Sequence, residues 1–282
     1  MKVGYNEATA MKNSNLNTDL MLTEKYGYDY IEIRLDMLNE YLTSKSIDNL
    51  SEFFKNSRVK PYALNSMEEI NFRDKAGVDE LLEQVKKVCS IAEKINNPYL
   101  IVVPSFRNEA VKNKSASDIE NDSIEVLNKL ADVSEEFNVK IAFEPVGFKN
   151  CAVRSMRQAW DIVKKVDRNS VGLVIDAFNV YLYNQLKDID VLEEIDNDKL
   201  FVFHINDCEG GVLPSELQLK HRIWPGEGVI PLKDMMKVLY KKGFDRIASV
   251  ELFRPEYWEL KPEDTIRTAK EKTDKVIEMF YN

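Results

Sequence analysis

A short apolar run followed by an amphipathic stretch recurs eight times along this chain, and that alternation leaves few folds open. The strand-like runs are 2–7, 30–34, 61–65, 99–105, 140–144, 171–176, 200–207 and 248–253. Their starts fall roughly 30 to 40 residues apart, with one wider gap before the last. Helical stretches fit between and after them, at 19–26, 46–55, 78–94, 117–137, 155–166, 185–195, 231–241 and 262–280. In the fourth, Ile119, Ser123, Val126, Leu127, Leu130, Val133 and Phe137 recur at helical spacing, with charged residues largely between them. Ser117 with Glu120 reads as a capping box, and Gly243 after two lysines as a helix stop. Eight strand–helix units in 282 residues match an α/β fold of the (β/α)₈ type, a TIM barrel. The rival, an open doubly wound sheet, often carries a glycine-rich turn after its first strand; here that strand runs into Asn6-Glu7-Ala8-Thr9-Ala10. No Pro/Gly/Ser-rich linker interrupts the chain, so residues 1–282 are expected to form a single barrel domain. The one long irregular stretch is 208–230, and a loop of that length usually serves a site.

Four successive runs close on side chains able to hold a metal. They are Ile141-Ala142-Phe143-Glu144, Gly172-Leu173-Val174-Ile175-Asp176, Phe201-Val202-Phe203-His204 and Ala248-Ser249-Val250-Glu251. His204 is one of only two histidines, which gives its place near a strand end weight. Taken singly, a histidine there is satisfied by a core hydrogen bond, and a carboxylate by a salt bridge or a loop cap. Taken together, they point elsewhere. Working groups of such a barrel gather at the C-terminal strand ends, and neighbouring strands lie about 5 Å apart. Three carboxylates at that range repel and are costly to desolvate unless a cation neutralises them. One divalent ion is therefore expected on Glu144, Asp176, His204 and Glu251, with Mn²⁺ placed first and Zn²⁺, Co²⁺ or Mg²⁺ as alternatives.

Other polar residues share that rim: Asn6, Glu7, Glu32 and Asn65. For these, packing at the barrel mouth and contact with substrate are both open. Arg222 lies in His221-Arg222-Ile223-Trp224-Pro225-Gly226-Glu227-Gly228, where the glycines allow tight turns that can bring the arginine to a ligand; an exposed surface cation is the other reading. His221 reads as a loop residue. Trp224, Phe253, Tyr257 and Trp258 either wall a pocket or pack. A net charge of −9 argues against a nucleic-acid or anionic-membrane partner. The start, Met1-Lys2-Val3-Gly4-Tyr5-Asn6-Glu7, has no apolar signal segment, and no run has the length of a membrane span. Three scattered cysteines without CxxC spacing fit a reduced, cytoplasmic setting.

Three stretches carry a resemblance: Asn6-Glu7-Ala8-Thr9, Gly27-Tyr28-Asp29-Tyr30-Ile31-Glu32-Ile33-Arg34 and, most specifically, Ser249-Val250-Glu251-Leu252-Phe253-Arg254-Pro255-Glu256-Tyr257. Along nearly its whole length the chain resembles the xylose-isomerase-like barrels, the sugar isomerases and epimerases that include the ketose 3-epimerases and endonuclease IV. Within them it is most similar to those isomerases that act on inososes. The resemblance puts the metal ligands on Glu144, Asp176, His204 and Glu251, and implies that Glu144 and Glu251 also move protons. It implies that Arg222, in an Arg-x-x-Pro-Gly-x-Gly loop, binds a substrate oxygen, and it marks Asn150, six positions after the first glutamate, as a polar contact. Asn6, Asn65 and Asn179 complete the expected substrate-binding set. Two departures stand out: Asn179 occupies the histidine position of an Asp-x-x-His pattern, and Phe148 stands where a second histidine is common. Asparagine hydrogen-bonds a hydroxyl but does not shuttle a proton near neutral pH.

The resemblance implies an isomerase that moves a carbonyl along a polyol through an enediolate, 2-keto-myo-inositol to 1-keto-D-chiro-inositol in inositol catabolism. A ketose 3-epimerase or hydroxypyruvate-type sugar isomerase is the alternative, and a metal-dependent sugar-acid dehydratase the second. The partner is a small-molecule polyol ketone or ketose, with oligomeric state left open. An endonuclease of the same fold calls on several histidines and an anionic partner, against two histidines and a negative chain here. A Schiff-base aldolase needs a lysine at a C-terminal strand end, whereas Lys140 opens its strand. A non-catalytic binding protein, suggested by Asn179 and Phe148, is told apart by whether metal binds.

Overall fold

The computed structural model describes residues 1–281. Eight parallel strands close into a barrel: β1 (Lys2–Asn6), β2 (Tyr30–Arg34), β3 (Lys60–Met67), β4 (Tyr99–Val102), β5 (Lys140–Phe143), β6 (Val171–Asp176), β7 (Leu200–Ile205) and, last in the chain, β10 (Ile247–Val250). Around the ring the order is β1-β10-β7-β6-β5-β4-β3-β2, so each strand pairs with its sequence neighbour and the last closes on the first. Register places Asp176 beside His204, His204 beside Ser249 and Asn6 beside Glu32, which brings residues distant in sequence to one rim. The strands are buried on both faces, which accounts for their continuous apolar runs.

Several expected strands stop short. Those expected to reach Glu7, Ser105, Asp207 and Phe253 end at Asn6, Val102, Ile205 and Val250, because the chain then leaves the ladder to cap or turn. Asn6 shows how: its side-chain oxygen accepts from the Ala8 N–H at 2.9 Å and starts a single turn of 3₁₀ helix, Glu7–Thr9. The helix expected from Ser117 begins one residue earlier, at Ala116–Glu135, and its capping box lies two residues earlier, on Ser115 and Asp118 in place of Ser117 and Glu120. Gly243 does end its helix, at φ +67. The helix expected at 185–195 shortens to Ile189–Glu194, and an unexpected helix, Ala177–Asn184, precedes it, ended by Gln185 in the left-handed conformation. The stretch 208–230 is not wholly irregular. Strands β8 (Asp207–Cys208) and β9 (Arg222–Ile223) pair antiparallel and fold the loop back over the barrel mouth.

The lower end of the barrel is filled with aromatic rings. Tyr62 lies 4.8 Å from Tyr30 and 5.0 Å from Tyr99, Tyr99 lies 4.9 Å from Phe201, and the Tyr62 hydroxyl donates to the Phe201 carbonyl at 2.8 Å. Glycine makes room for them: a Cβ on Gly172 would lie 2.6 Å from both the Lys199 carbonyl and the Phe201 ring. Lys140, over the Phe201 ring at 5.4 Å, belongs to this end. Among the described residues no helix is long and apolar enough to cross a membrane.

Candidate metal centre

At the opposite end, Glu144, Asp176, His204 and Glu251 turn inward from four adjacent strands, and one ligand atom of each lies within 4.8 Å of the others. His204 Nδ1 is 3.4 Å from Glu144 Oε1, 3.4 Å from Glu251 Oε2 and 3.7 Å from Asp176 Oδ2. That nitrogen is fully buried and makes no hydrogen bond. Three acid oxygens gathered around an unpaired imidazole nitrogen fit a divalent cation, in number and in donor type.

The cluster is held from outside. Arg222, 2% exposed, places Nη1 at 2.6 Å from Glu251 Oε2 and 3.2 Å from Asp176 Oδ2, its guanidinium between the rings of Phe178 and Phe253. It is no surface cation. Asn6 and Asn65 donate to Glu251 Oε1 at 3.1 and 3.2 Å, and Asn179 donates to Glu144 Oε1 at 3.1 Å. The Asn179 N–H meets Asp176 Oδ1 at 2.6 Å, so the acid that ends β6 also caps the following helix. Asn206 donates to Asp176 Oδ2 at 2.8 Å and accepts from the Phe178 N–H at 2.8 Å. Asp207, also buried, accepts the N–H groups of Gly226, Gly228 and Ile230 and so folds the loop that delivers Arg222. A Cβ on Gly228 would sit 2.2 Å from the Cys208 carbonyl.

Burial pushes the Glu144 carboxyl up to about 7, the pull of His204 notwithstanding, with the Glu251 and Asp176 charges adding to the rise. Asp176 is raised chiefly by burial, which Arg222 offsets in part. Burial also raises Glu251, but His204 and Arg222 more than reverse it and hold this acid below its usual range. For His204, burial lowers and the Glu251, Glu32 and Glu144 charges raise; the charges win. Four acids in one dry place bind a proton on the imidazole where a cation would otherwise serve.

A cavity of about 270 Å³ opens above the cluster, lined among others by Asn65, Glu144, Phe148, Asn179, Arg222 and Phe253. Asn6 and Asp176 sit beneath, against the glutamates. Asn150 is exposed and donates to the Phe106 carbonyl, which places it in a neighbouring cleft with Lys149 and Arg154 and outside this cavity. Of the four aromatics, Phe253 alone walls the cavity. Trp224 stacks on Tyr257 at 4.0 Å, and Trp258 donates to the Ala8 carbonyl. His221 stays in the loop beside Glu209. Glu7 accepts from the Arg34 N–H at 2.8 Å and faces Asp19, away from the cavity. Asn206 and Asp207 are working residues not expected as sites; they close the run 200–207, but nothing in that run shows whom they touch.

A closed parallel barrel with a single acid-rich donor cluster at its mouth defines the class: a metal-centred (β/α)₈ barrel. The chain belongs to the xylose isomerase-like TIM barrel family, whose model matches residues 20–277. It is 41% identical over 285 residues to inosose isomerase of Bacillus velezensis, covering 100% of this chain and 99% of that one. It is 40% identical over 286 residues to inosose isomerase of Bacillus subtilis (strain 168), covering 100% of both. A crystal structure of IolI protein with a binding zinc atom superposes with a TM-score of 0.95 at 40% identity, covering 100% of both chains.

Proposed function

We propose that the protein is an inosose isomerase, moving the carbonyl of a cyclic polyol ketone to the neighbouring carbon: 2-keto-myo-inositol to 1-keto-D-chiro-inositol. The observation that carries this reading is the buried ring of three acids around the unpaired His204 Nδ1, in a chain 41% identical to an inosose isomerase along its whole length.

Glu144, Asp176, His204 and Glu251 would hold one divalent ion, which supplies the Lewis acidity that makes a proton beside a carbonyl removable. Glu144 and Glu251 are the proton carriers. One takes the hydrogen from the carbinol carbon as a proton, the bonding pair forms the carbon–carbon double bond, and the carbonyl π pair moves to its oxygen, which takes up a proton. The neighbouring hydroxyl then gives up its proton to become the new carbonyl, while the double-bond pair takes a proton from the other glutamate at the former carbonyl carbon. Mass is conserved. Arg222 Nε and Asn179 Oδ1 are buried without hydrogen-bond partners, a donor and an acceptor available to substrate oxygens. Asn6 and Asn65 keep Glu251 aimed. Manganese is proposed as the working ion because the donors are mostly hard oxygens, with zinc, cobalt and magnesium as competitors. Three buried free cysteines support a cytoplasmic setting.

The test is turnover of 2-keto-myo-inositol in D₂O by metal-free protein reconstituted with each ion in turn. An isomeric product with deuterium at the former carbonyl carbon supports the reading. Loss of water would make the protein a dehydratase, and no turnover with any ion would remove the isomerase assignment.

A further inference from the structure

The second nitrogen of His204 has a partner that the metal centre leaves unexplained. Nε2 lies 3.1 Å from Oε2 of Glu32, which stands on β2, on the far side of the ring from β7. Both side chains are fully buried. Glu32 Oε1, the other oxygen, has no hydrogen bond, and Asn6, its neighbour in register, spends its own amide on Glu251 and the Ala8 N–H. An acid kept in the dry interior with half its hydrogen-bonding capacity unused is expensive. A glutamate serving only to brace the barrel would use both oxygens, or a neutral residue would stand in its place.

We propose that Glu32 is a positioning residue of the metal centre: by accepting the Nε2–H of His204 it fixes the imidazole tautomer and points Nδ1, as a lone-pair donor, at Glu144, Asp176 and Glu251. Nε2 faces a carboxylate oxygen, an acceptor, and so carries the hydrogen, while Nδ1, turned to the three other acids and without a hydrogen bond, is left free. The ring cannot then rotate about χ2 without abandoning this bond. Glu32 touches neither the ion nor the substrate and acts through His204 alone.

Three proteins decide the matter: the full chain, Glu32→Ala and Glu32→Gln, each stripped of metal and titrated with Co²⁺ and Mn²⁺ against a competing chelator. The Co²⁺ absorption spectrum and the thermal midpoint of the metal-free form are recorded alongside. Glutamine keeps an acceptor oxygen at the same reach, whereas alanine removes it. The expected result is a roughly 10- to 100-fold weaker metal affinity and an altered Co²⁺ spectrum for Glu32→Ala, with Glu32→Gln restoring both to near the parent. The metal-free form of Glu32→Gln should melt no lower than the parent. Parent-like affinity and spectrum in folded Glu32→Ala would overturn the proposal, as would a Glu32→Gln as impaired as the alanine variant. A metal-free Glu32→Gln that melts lower while binding normally would make Glu32 a structural brace. Because these readouts are binding and spectroscopy, a parent that binds metal but does not turn over inosose would count against the proposed activity and leave this inference standing.

Discussion

At the N-terminal ends of the strands, the rings of Tyr30, Tyr62, Tyr99 and Phe201 pack edge-on or tilted against one another; at the C-terminal ends, Glu32, Glu144, Asp176, His204, Arg222 and Glu251 crowd a single buried space. On β7 the two worlds are three residues apart, Phe201 and His204, about 10 Å along one strand. The floor gains stability from apolar area and ring contacts. The mouth gives stability up, since Glu144 and Asp176 have been taken from water and are only partly compensated. The same eight strands thus carry a rigid support below and an electrostatically strained site above, and changes at the two ends should fail in opposite ways.

The largest separation is expected from Glu144→Gln, at the carboxyl that burial pushes up to about 7: it should lower kcat by about 10²–10⁴ while leaving the metal-free protein's urea midpoint unchanged or higher. Steady-state kinetics beside urea unfolding read both; a variant that loses stability and keeps its rate would erase the distinction. Phe201→Ala should do the reverse, costing about 3–5 kcal/mol of unfolding free energy with kcat per folded molecule near the parent value. A smaller effect of the same kind is expected at Gly4, where a Cβ would meet Ile247 Cδ1 at 2.2 Å. Gly4→Ala should cost about 1–3 kcal/mol and spare metal affinity.

The smallest effect is expected at a second group of acids, beside the mouth but outside the metal cluster. Glu7 Oε1 and Asp19 Oδ2 are buried without a hydrogen-bond partner, which a single proton held between the two acids would supply, while Ser14 donates to the second Asp19 oxygen. Burial raises both carboxyls, Asp19 to about 7. An acid whose folded pKa is raised stabilises the fold fully below its unfolded value, about 4, and loses that contribution as pH climbs towards the folded value. Stability should therefore fall between about pH 4 and 7, and Asp19→Asn should flatten the fall. Parallel pH–stability curves for the two proteins would rule out the shared proton.

How much of this was legible in the chain varied with the physics behind each element. Strands that end in a charged or polar residue after an apolar run, such as Val171–Asp176, were readable because burial on both faces demands the run and the mouth demands its ending. The helix Ala177–Asn184 was not, since it is apolar on nearly every side and has no polar period to betray it. The two-residue strands β8 and β9 are too short to show alternation at all. The four metal-capable residues announced themselves by their shared place at strand ends. Their supports, Asn206 and Asp207, did not, because a hydrogen bond across the barrel depends on closure and register, and neither is written in any local stretch.

The central claim is that the crowded mouth exists to hold one divalent cation for isomerisation. Stripping the protein with a chelator, counting the ions that return on titration with Mn²⁺, and following 2-keto-myo-inositol turnover on the same samples tests it most directly. One ion per chain is expected, with activity that rises in step with occupancy and loss of both in His204→Ala. Turnover that persists in fully stripped protein, or a His204→Ala variant that still binds one ion at parent affinity, would contradict it.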